Sequence, residues 1–475
     1  MLFRSTNYGG SLLTSKDGKV KYAGWDSSHW DTNTTGGDAG AIMITGDHLY
    51  IYNATFTNCT SVGRGGAVFL QDNDNATFEL CKFINNYAKG TANNTWANYT
   101  QERNESNDDT KVDYDLTGHG GAIAFDVNAT NCKILDSKFY NNLGRRNGGA
   151  INFDQGSTNN TIRNCDFENN TVYDDGGAIN FDHGADYCSI YNTTFTNNTG
   201  LGRFNSSTRG GTICLVGSNI TIQDSKFILG RSFANVTEGA NISKTDGGAI
   251  FLAGDDVNIT NTLFDRCSAP NNAGAIEIVG DRTTLNNCTF TNCNATEDGG
   301  ALYVEGLNCE IYNSTFEHNL AGDDGGAIIW KGDHGYVYNI TCFDNKGISL
   351  NGSHSNGGTI SLNGNNVTIT KSTFIQSGAL IAGGAIFATG NNVTISESHF
   401  ERNNVSHTVV EQGKAYTTGG GSIYVFGNNS NIINCTFDMA NGKEGGIIYV
   451  QGHNVTINYI STKRSFAVAG GAIYI

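Results

Sequence analysis

The sequence predicts an all-β protein folded as a single-stranded parallel β-helix, a solenoid of about 15 turns. Two landmarks and one periodicity predict this class. A Gly-Gly-Ala-Ile string recurs along the chain, a phenylalanine follows each copy at a near-fixed distance, and the short runs between them alternate apolar and polar residues. Alternation with a period of two is typical of strands rather than helices, so a helical solenoid is excluded.

The first landmark is the second glycine of each Gly-Gly-Ala-Ile copy, here called the anchor. Nine of the fourteen intervals between anchors are 25 to 28 residues long, which is the length of one solenoid turn. The anchors are Gly40, Gly66, Gly121, Gly149, Gly177, Gly211, Gly248, Gly274, Gly300, Gly326, Gly358, Gly384, Gly421, Gly446 and Gly471.

The second landmark is a phenylalanine 16 to 18 residues after the anchor: Phe56, Phe83, Phe139, Phe167, Phe195, Phe227, Phe264, Phe290, Phe316, Phe343, Phe374, Phe400 and Phe437. The distance from this phenylalanine to the next anchor varies far more, so insertions enter at one corner of the turn. We therefore expect an irregular segment or degenerate first turn over residues 1–36. A β-helix then covers residues 37–475, with insertions at 84–119, 196–210, 228–246, 344–357 and 401–419.

Each turn is predicted to contain three short strands. One follows the anchor, as in Ile151–Asp154; a second resembles Val367–Thr370; the phenylalanine lies in the third. Asn and Gly at the corners tolerate left-handed backbone. Three residues past the phenylalanine, stacked asparagines are expected to form an amide ladder, in the column Cys59, Asn86, Asn142, Asn170, Asn198, Gly230, Cys267, Cys293, Asn319, Lys346, Ser377, Asn403 and Ala440.

Composition and charge exclude several functions. The formal net charge of −16 repels phosphate backbones, so nucleic acid is not an expected partner. No run of about 20 apolar residues predicts a membrane span, and the first residues lack the pattern of a secretory signal. Because the chain stops one strand after the anchor Gly471, we expect a segment of a longer protein or a subunit that associates end to end.

Gly-Gly-Ala-(Ile/Leu/Val) paired with Phe-x-x-Asn resembles the repeat of the chlamydial polymorphic outer-membrane proteins and of the adhesin-like surface proteins of methanogenic archaea. Clear matches are Gly148 to Ile151 with Phe167 to Asn170, and Gly176 to Ile179 with Phe195 to Asn198. The resemblance covers nearly all of the chain from residue 37. It implies a right-handed, pectin-lyase-like β-helix on a cell surface, acting in adhesion.

The leading functional hypothesis is therefore an exported, N-glycosylated, non-enzymatic cell-surface protein, adhesin-like or part of a filament. Its expected partners are glycans, surface proteins of another cell, or copies of itself. The alternative is a polysaccharide-degrading β-helix enzyme, a lyase or glycoside hydrolase. Repetition without a singular polar cleft favours the first hypothesis, because an enzyme needs one place where acid, base and cations converge.

Glycosylation is predicted from Asn-x-Ser/Thr sequons. Many arise automatically when a corner asparagine precedes an outward strand threonine, as at Asn366 and Asn392. Sequons in or beside insertions escape that explanation. The expected acceptors are Asn93, Asn98, Asn104, Asn205, Asn235, Asn241, Asn351 and Asn404.

Three carboxylates form the clearest candidate for a cation site. Asp126, Asp154 and Asp182 lie five residues past three consecutive anchors, so they are expected to stack as one outward column about 5 Å apart. Such a column repels itself unless a cation lies between its members. Calcium binding, acid–base catalysis and a solvated acidic stripe remain open. The arginines expected nearby are Arg145, Arg146 and Arg163.

Two further features complete the candidates. Three residues past the anchor, a second outward column carries the predicted aromatic binding face of Phe251, Tyr303, Phe387, Tyr424, Tyr449 and Tyr474. Exposed aromatic columns suit glycan stacking or protein docking, unless insertion loops cover them. The 12 cysteines show no disulfide or zinc spacing and are expected to be small buried side chains.

Overall fold

The computed structural model describes residues 37–71, 73–90, 118–202, 208–234, 245–348, 355–406 and 419–475, and the main chain of a few further strands. The described chain is all-β and contains no helix. It is a right-handed parallel β-solenoid of about 13 turns, which confirms the predicted fold class. The sequence predicted about 15 turns, so the number of turns was slightly overestimated. After the last anchor only Ile473–Tyr474 follows as a strand.

The chain divides into two compact units, residues 1–245 and 246–475. In both units each turn contributes strands to four stacks, here called sheets 1 to 4 in the order in which the chain meets them after an anchor. Sheet 4 was not predicted from the sequence, because its strands are mostly two residues long and show no alternation to detect.

Sheet 1 follows the anchor. Its strands in the first unit are Leu12–Thr14, Val20–Tyr22, Ile42–Thr45, Val68–Gln71, Ile123–Phe125, Ile151–Phe153, Ile179–Phe181 and Ile213–Leu215. In the second unit they are Ile250–Leu252, Ile276–Ile278, Leu302–Val304, Ile328–Trp330, Ile360–Leu362, Ile386–Ala388, Ile423–Val425, Ile448–Val450 and Ile473–Tyr474.

Sheet 2 has the strands Tyr50–Tyr52, Thr77–Glu79, Lys133–Leu135, Thr161–Arg163, Ser189–Tyr191 and Thr221–Gln223 in the first unit. In the second unit it has Asn258–Thr260, Thr284–Asn286, Glu310–Tyr312, Tyr336–Tyr338, Thr368–Thr370, Thr394–Ser396, Asn431–Ile433 and Thr456–Asn458.

Sheet 3 carries the phenylalanine landmark. Its strands are Leu2–Phe3, Thr55–Thr57, Lys82–Ile84, Lys138–Tyr140, Asp166–Glu168, Thr194–Thr196 and Lys226–Ile228 in the first unit. In the second unit they are Leu263–Asp265, Thr289–Thr291, Thr315–Glu317, Thr341–Phe343, Thr373–Ile375, His399–Glu401, Thr436–Asp438 and Ser461–Lys463.

Sheet 4 precedes the next anchor. Its strands in the first unit are Thr60–Ser61, Tyr87–Ala88, Leu143–Gly144, Thr171–Val172, Thr199–Gly202 and Arg231–Ala234. In the second unit they are Ser268–Ala269, Asn294–Ala295, Leu320–Ala321, Lys346–Gly347, Gly378–Ala379 and Asn404–Val405. A separate antiparallel pair, Val410–Glu411 with Lys414–Ala415, lies in the insertion predicted at 401–419.

The corners explain the asparagine and glycine content. In the turn after Gly149, the chain bends at Asn159, Asn164 and Asn169, whose φ angles are 56°, 55° and 56°. Asparagine tolerates this left-handed region better than most residues. At the anchor itself the turns pack main chain on main chain. A Cβ at Gly149 would overlap the carbonyl oxygen of Gly177 one turn later, so only glycine fits.

The core is built from stacked phenylalanines. In sheet 3 the rings of Phe139 and Phe167 lie 4.6 Å apart and 2° from parallel, and equivalent pairs continue along both units. One predicted member of this column was wrong. Cys342, not Phe343, pairs with Phe316 and Phe374, so the smaller thiol fills the core there while Phe343 faces outward against His318.

The amide ladder is confirmed. Asn142 donates from Nδ2 to Asn170 Oδ1 at 2.9 Å, and Asn170 donates to Asn198 Oδ1 at 3.0 Å. The same Nδ2 of Asn170 also donates to the carbonyl oxygen of Phe139 at 3.0 Å. The turn that carries Cys342 is offset by one residue, so Asn345 rather than Lys346 accepts from Asn319.

Replacing Asn170 with alanine tests the ladder. Asn170 is fully buried, and its loss leaves the buried N–H of Asn142, the Oδ1 of Asn198 and the Phe139 carbonyl short of a partner. We expect Asn170→Ala to lower the free energy of unfolding by about 3–5 kcal/mol in urea denaturation. Asn258→Ala, at an exposed strand position, should change it by no more than about 0.5 kcal/mol. Equal losses in both variants would contradict a structural role for the ladder.

Candidate functional site

The outward face of sheet 1 forms a groove. The middle residue of each strand points away from the core, because its two neighbours point inward. Most of these middle residues are nevertheless buried, as at Phe69, Asn152, Asn180 and Ser361. We call this column, three residues past the anchor, the groove floor. One rim is the column two residues before the anchor, and the other rim is the column five residues past it.

The first rim is a ladder of polar side chains that sequence reasoning missed. Arg64 and Arg209 each donate their main-chain N–H to the aspartate one turn earlier, Asp38 and Asp175, at 2.7 and 2.8 Å. In the second unit the N–H of Asp324 likewise donates to Asp298 at 3.1 Å. Reading every residue two before an anchor would have found the column: Asp38, Arg64, His119, Asn147, Asp175, Arg209, Asp246, Asn272, Asp298, Asp324, Asn356.

The predicted aspartate column forms the opposite rim in the first unit. Strand register places Asp126, Asp154 and Asp182 on consecutive turns, as the sequence predicted. The set of arginines predicted to lie beside these carboxylates was incomplete. Arg64, two turns before Asp154, crosses the floor, packs 4.3 Å above the Phe69 ring and reaches Asp126 Oδ1 at 2.7 Å and Asp154 Oδ2 at 3.9 Å.

Arg64 therefore supplies a counter-charge that sequence spacing did not reveal. Across the described residues, no group of three or more His, Cys, Asp or Glu side chains has the arrangement of a metal site. Arg64 faces Asp126 and Asp154, and the positive charge of Arg146 acts on Asp182. Calcium binding at Asp126, Asp154 and Asp182 stays a prediction.

Two further arginines form ion contacts near this column. Arg209 donates from Nη2 at 2.6 Å and from Nε at 3.2 Å to the same oxygen of Asp175, Oδ2, while Oδ1 accepts the main-chain N–H of Arg209. Arg146 Nε lies 3.9 Å from Asp174. Burial raises the pKa of Asp182, and the neighbouring Asp154 carboxylate raises it further, against the lowering effect of the bond from the His183 N–H.

The predicted aromatic face is partly wrong. Phe251 and Tyr303 lie on the groove floor and are only 8% and 6% exposed, because the neighbouring rim and turns cover the floor. Tyr303 packs against Ala273 and Ile329, and Lys331 Nζ lies 4.4 Å above its ring and donates to its hydroxyl. Burial raises the pKa of Tyr303, so this phenol stays neutral at physiological pH.

The remaining aromatic residues form a half-exposed column. Tyr424 and Tyr449 have ring centroids 4.6 Å apart, and Tyr449 and Tyr474 are 5.1 Å apart, with planes within 15° of parallel. Phe387 lies 5.3 Å before Tyr424 at a tilt of 50°. The stacked rings cover one another's faces. The column therefore presents ring edges and hydroxyls, not the open faces that sugar stacking needs.

Most predicted glycan acceptors lie outside the described residues: Asn93, Asn98, Asn104, Asn205, Asn235, Asn241 and Asn351. Asn404 is described. Its side chain is exposed at the start of the strand Asn404–Val405, where a glycan has room.

The cysteines are all buried, as predicted. Burial raises the pKa of Cys132, Cys165, Cys188 and Cys288 to about 12, so these thiols are not nucleophiles at neutral pH. Their sulfurs lie against main-chain carbonyl oxygens, as Cys165 Sγ does with Ile134 at 3.5 Å.

Two family models match parts of this architecture. Residues 228–414 match the model of a right-handed β-helix region, and residues 164–182 match the repeat of the Chlamydia polymorphic membrane proteins. The matched segment runs from Asn164 to Asp182, so it contains Phe167, Asn170 and the anchor Gly177. No curated protein sequence matches the chain.

Three solved structures show a distant likeness to the chain. A mannuronic acid specific family 6 polysaccharide lyase from human gut microbiota is 10% identical with a TM-score of 0.36, over 84% of this chain and 78% of that chain. A PL6 alginate lyase in complex with a trisaccharide is 13% identical, with a TM-score of 0.37 and coverages of 84% and 80%. DFA-IIIase from Arthrobacter chlorophenolicus A6 is 9% identical, with a TM-score of 0.27 and coverages of 86% and 77%. Likeness this weak carries no information about activity.

In the second unit, the first rim contains closely placed carboxylates. Asp324 Oδ1 accepts the N–H and the Nδ2 of Asn356 at 2.8 and 3.1 Å, and its other oxygen is 3.5 Å from Ser361 Oγ. Burial, together with the charges of Asp323 and Asp298, raises the pKa of Asp324 to about 7. Burial also raises the pKa of Asp246 to about 6.

Unfolding at different pH tests this rim. Because the folded state holds the Asp324 proton more tightly than the unfolded chain, its contribution favours folding below about pH 4 and is lost as the pH rises to about 7. Asp324→Asn should be more stable than the parent at pH 7.5 by roughly 2–4 kcal/mol and equal to it at pH 4. The chain already uses asparagine at the equivalent Asn272 and Asn356. A difference that is the same at both pH values would contradict a titrating Asp324.

Proposed function

We propose that this chain is part of an exported cell-surface protein that acts as an adhesin, with glycans on another cell or surface as its partner. The observation that carries the proposal is the polymorphic-membrane-protein repeat, found in register with a β-helix that repeats the same columns throughout. A repeated binding surface suits adhesion, because many weak contacts act together. Self-association into a filament is the second form of this proposal.

The half-exposed tyrosine column is the proposed contact surface. Its hydroxyls recur at one turn of spacing, and a hydroxyl both donates and accepts hydrogen bonds, as sugar hydroxyls do. The Tyr424 hydroxyl donates to Gln451 Oε1 at 2.7 Å and is also hydrogen-bonded with Tyr449, so the column already takes part in hydrogen bonding at the surface. A net charge of −16 disfavours acidic glycans, so the proposed partner is uncharged.

A polysaccharide lyase or hydrolase is the second candidate function. The observation that favours it is the Asp154 and Asp182 pair on consecutive turns, in which the Asp182 pKa is raised. A pair of neighbouring carboxyl groups, one of them an acid with a raised pKa, is the usual arrangement for glycoside hydrolysis. Release of reducing ends that disappears in Asp182→Asn would favour this candidate over the adhesin.

Removing hydroxyls from the tyrosine column tests the adhesin. Beads coated with the purified chain should bind cells or glycan-coated surfaces, and Tyr449→Phe with Tyr474→Phe should reduce the bound fraction at least fivefold. The rings and their stacking survive this change, so only the hydroxyl contacts are lost. Flow-cell counting of attached beads measures the effect.

The matched control is Tyr52→Phe, since Tyr52 is 55% exposed in sheet 2 of the first unit and outside the column. It should leave attachment unchanged. Attachment that survives the column variant, or falls equally with Tyr52→Phe, would contradict the proposed contact surface.

Glycosylation is the third part of the proposal. If the protein is exported by a host that adds N-glycans, tryptic peptides containing Asn404 and the predicted insertion acceptors should carry hexose-containing mass additions in native material. Corner asparagines such as Asn313 should remain unmodified, because their Nδ2 groups donate within the exposed ladder, at 3.0 Å to Asn286. Mass spectra with occupied corner sites and bare insertion sites would reverse this assignment.

A further inference from the structure

The groove floor of the first unit contains an interrupted amide ladder. Asn180 donates from Nδ2 to Asn152 Oδ1 at 2.9 Å, which orients the Asn152 Nδ2 toward the preceding turn. In that turn the paired floor residue is Ala124, which offers a methyl group and no acceptor. Within the described residues the Asn152 Nδ2 has no hydrogen-bond partner, although the side chain is 1% exposed.

An unused acceptor lies on the same strand end. Asp154 follows Asn152 by two residues, so both side chains leave the same face of the sheet. Asp154 Oδ1 accepts the Gln155 N–H at 2.9 Å. In the part of the chain that the structure describes, Oδ2 meets only Arg64, at 3.9 Å, which is too long for a hydrogen bond.

We propose that Asn152 and Asp154 form a binding site for one hydroxyl group of an uncharged glycan that lies along the groove. The hydroxyl oxygen accepts from Asn152 Nδ2, and its hydrogen is donated to Asp154 Oδ2. One group thereby satisfies a buried donor and a partly exposed acceptor that the protein itself leaves unmatched. The proposal rests on the glycan binding proposed above, but it uses a different unit and different residues.

The neighbouring turns indicate why the ligand is uncharged and extended. Asp126 and Asp182 flank Asp154 on the same rim, so an acidic sugar would meet three carboxylates and two arginines, Arg64 and Arg146. Over these three turns the rim has one carboxylate per turn, and an oligosaccharide running along it offers hydroxyls at every sugar. Asp182 Oδ1 accepts the His183 N–H at 2.8 Å, the same arrangement as in Asp154.

Entry requires a small movement of Arg64. Its side chain is 27% exposed and that of Asp154 is 22% exposed, so the hydroxyl approaches between them. The 3.9 Å contact opens without breaking the 2.7 Å pair of Arg64 with Asp126. Arg64 stays stacked on Phe69 and keeps covering the floor beyond the site.

Calorimetric titration with defined oligosaccharides tests the site. The probes are cellohexaose and mannohexaose as neutral glycans and hexagalacturonate as an acidic one. The parent chain should bind at least one neutral hexamer and should bind hexagalacturonate at least tenfold more weakly. Asn152→Ala and Asp154→Ala should each weaken the neutral hexamer at least tenfold. The double variant should lose less than the product of the two, because one hydroxyl bridges both residues.

Asp166→Ala is the matched control, since Asp166 faces outward from sheet 3 of the same turn and pairs with Lys138. It should bind as the parent does. Asn152→Ala is expected to fold, because Ala124 already occupies the equivalent place one turn earlier. It should melt somewhat lower than the parent, because the variant also removes the Oδ1 that accepts from the buried Asn180 Nδ2. A melting temperature measured beside each titration separates lost binding from lost folding.

Several outcomes would overturn the site. The site is wrong if the parent chain binds neither neutral hexamer. It is also wrong if Asn152→Ala and Asp154→Ala bind a neutral hexamer as the parent does. In either case the partner of the Asn152 Nδ2 is a trapped water. If the tyrosine-column variant loses attachment to surfaces while Asn152→Ala binds the hexamer as the parent does, this site is overturned and the proposed adhesin function stands. If hexamer binding depends on Asn152 but the chain attaches to no surface, this site stands and the proposed adhesin function is overturned.

Discussion

The close stacking of successive turns at the anchor is the constraint on which the rest of this structure depends. At Gly149 the main chain of one turn meets the main chain of the next so closely that no Cβ fits between them. This contact aligns every turn with its neighbours, and equivalent residues then fall into columns about 4.8 Å apart. Phenylalanines stack, buried amides bond to amides, and each outward side chain lies beside its own counterpart.

Stacking also places like charges next to one another. Carboxylates at the same place in successive turns repel one another, and the structure resolves this in two ways. Main-chain N–H groups of the next turn donate to aspartates such as Asp175 and Asp298, and arginines such as Arg64 reach across the groove to a different rim. Where these contacts do not offset burial, the pKa of the carboxyl group is raised, as it is at Asp324. The rims of the groove are thus polar, and their charges are neutralised in some turns more than in others.

This unevenness is what makes the groove a candidate for recognition. A floor that changes from Phe69 to Ala124 to Asn152 within three turns cannot satisfy every polar group with a neighbour of its own kind. Hydroxyl groups of a ligand can form the hydrogen bonds that the stacked floor residues do not form with one another. The tyrosine column of the second unit presents hydroxyls for the same reason, since stacking has already used its ring faces.

The sequence by itself determined the fold class, the anchors, the amide ladder and the register that stacks Asp126, Asp154 and Asp182. These follow from local spacing, because a solenoid converts a period in the chain directly into a column in space. Only the tertiary structure decided how far side chains reach across columns. Arg64 meets Asp154 from two turns away, the rims cover Phe251 and Tyr303, and Cys342 takes the place expected for Phe343. Spacing along a chain specifies the height of a residue in the stack. The length and direction of its side chain, which decide what it contacts, depend on packing against neighbouring turns.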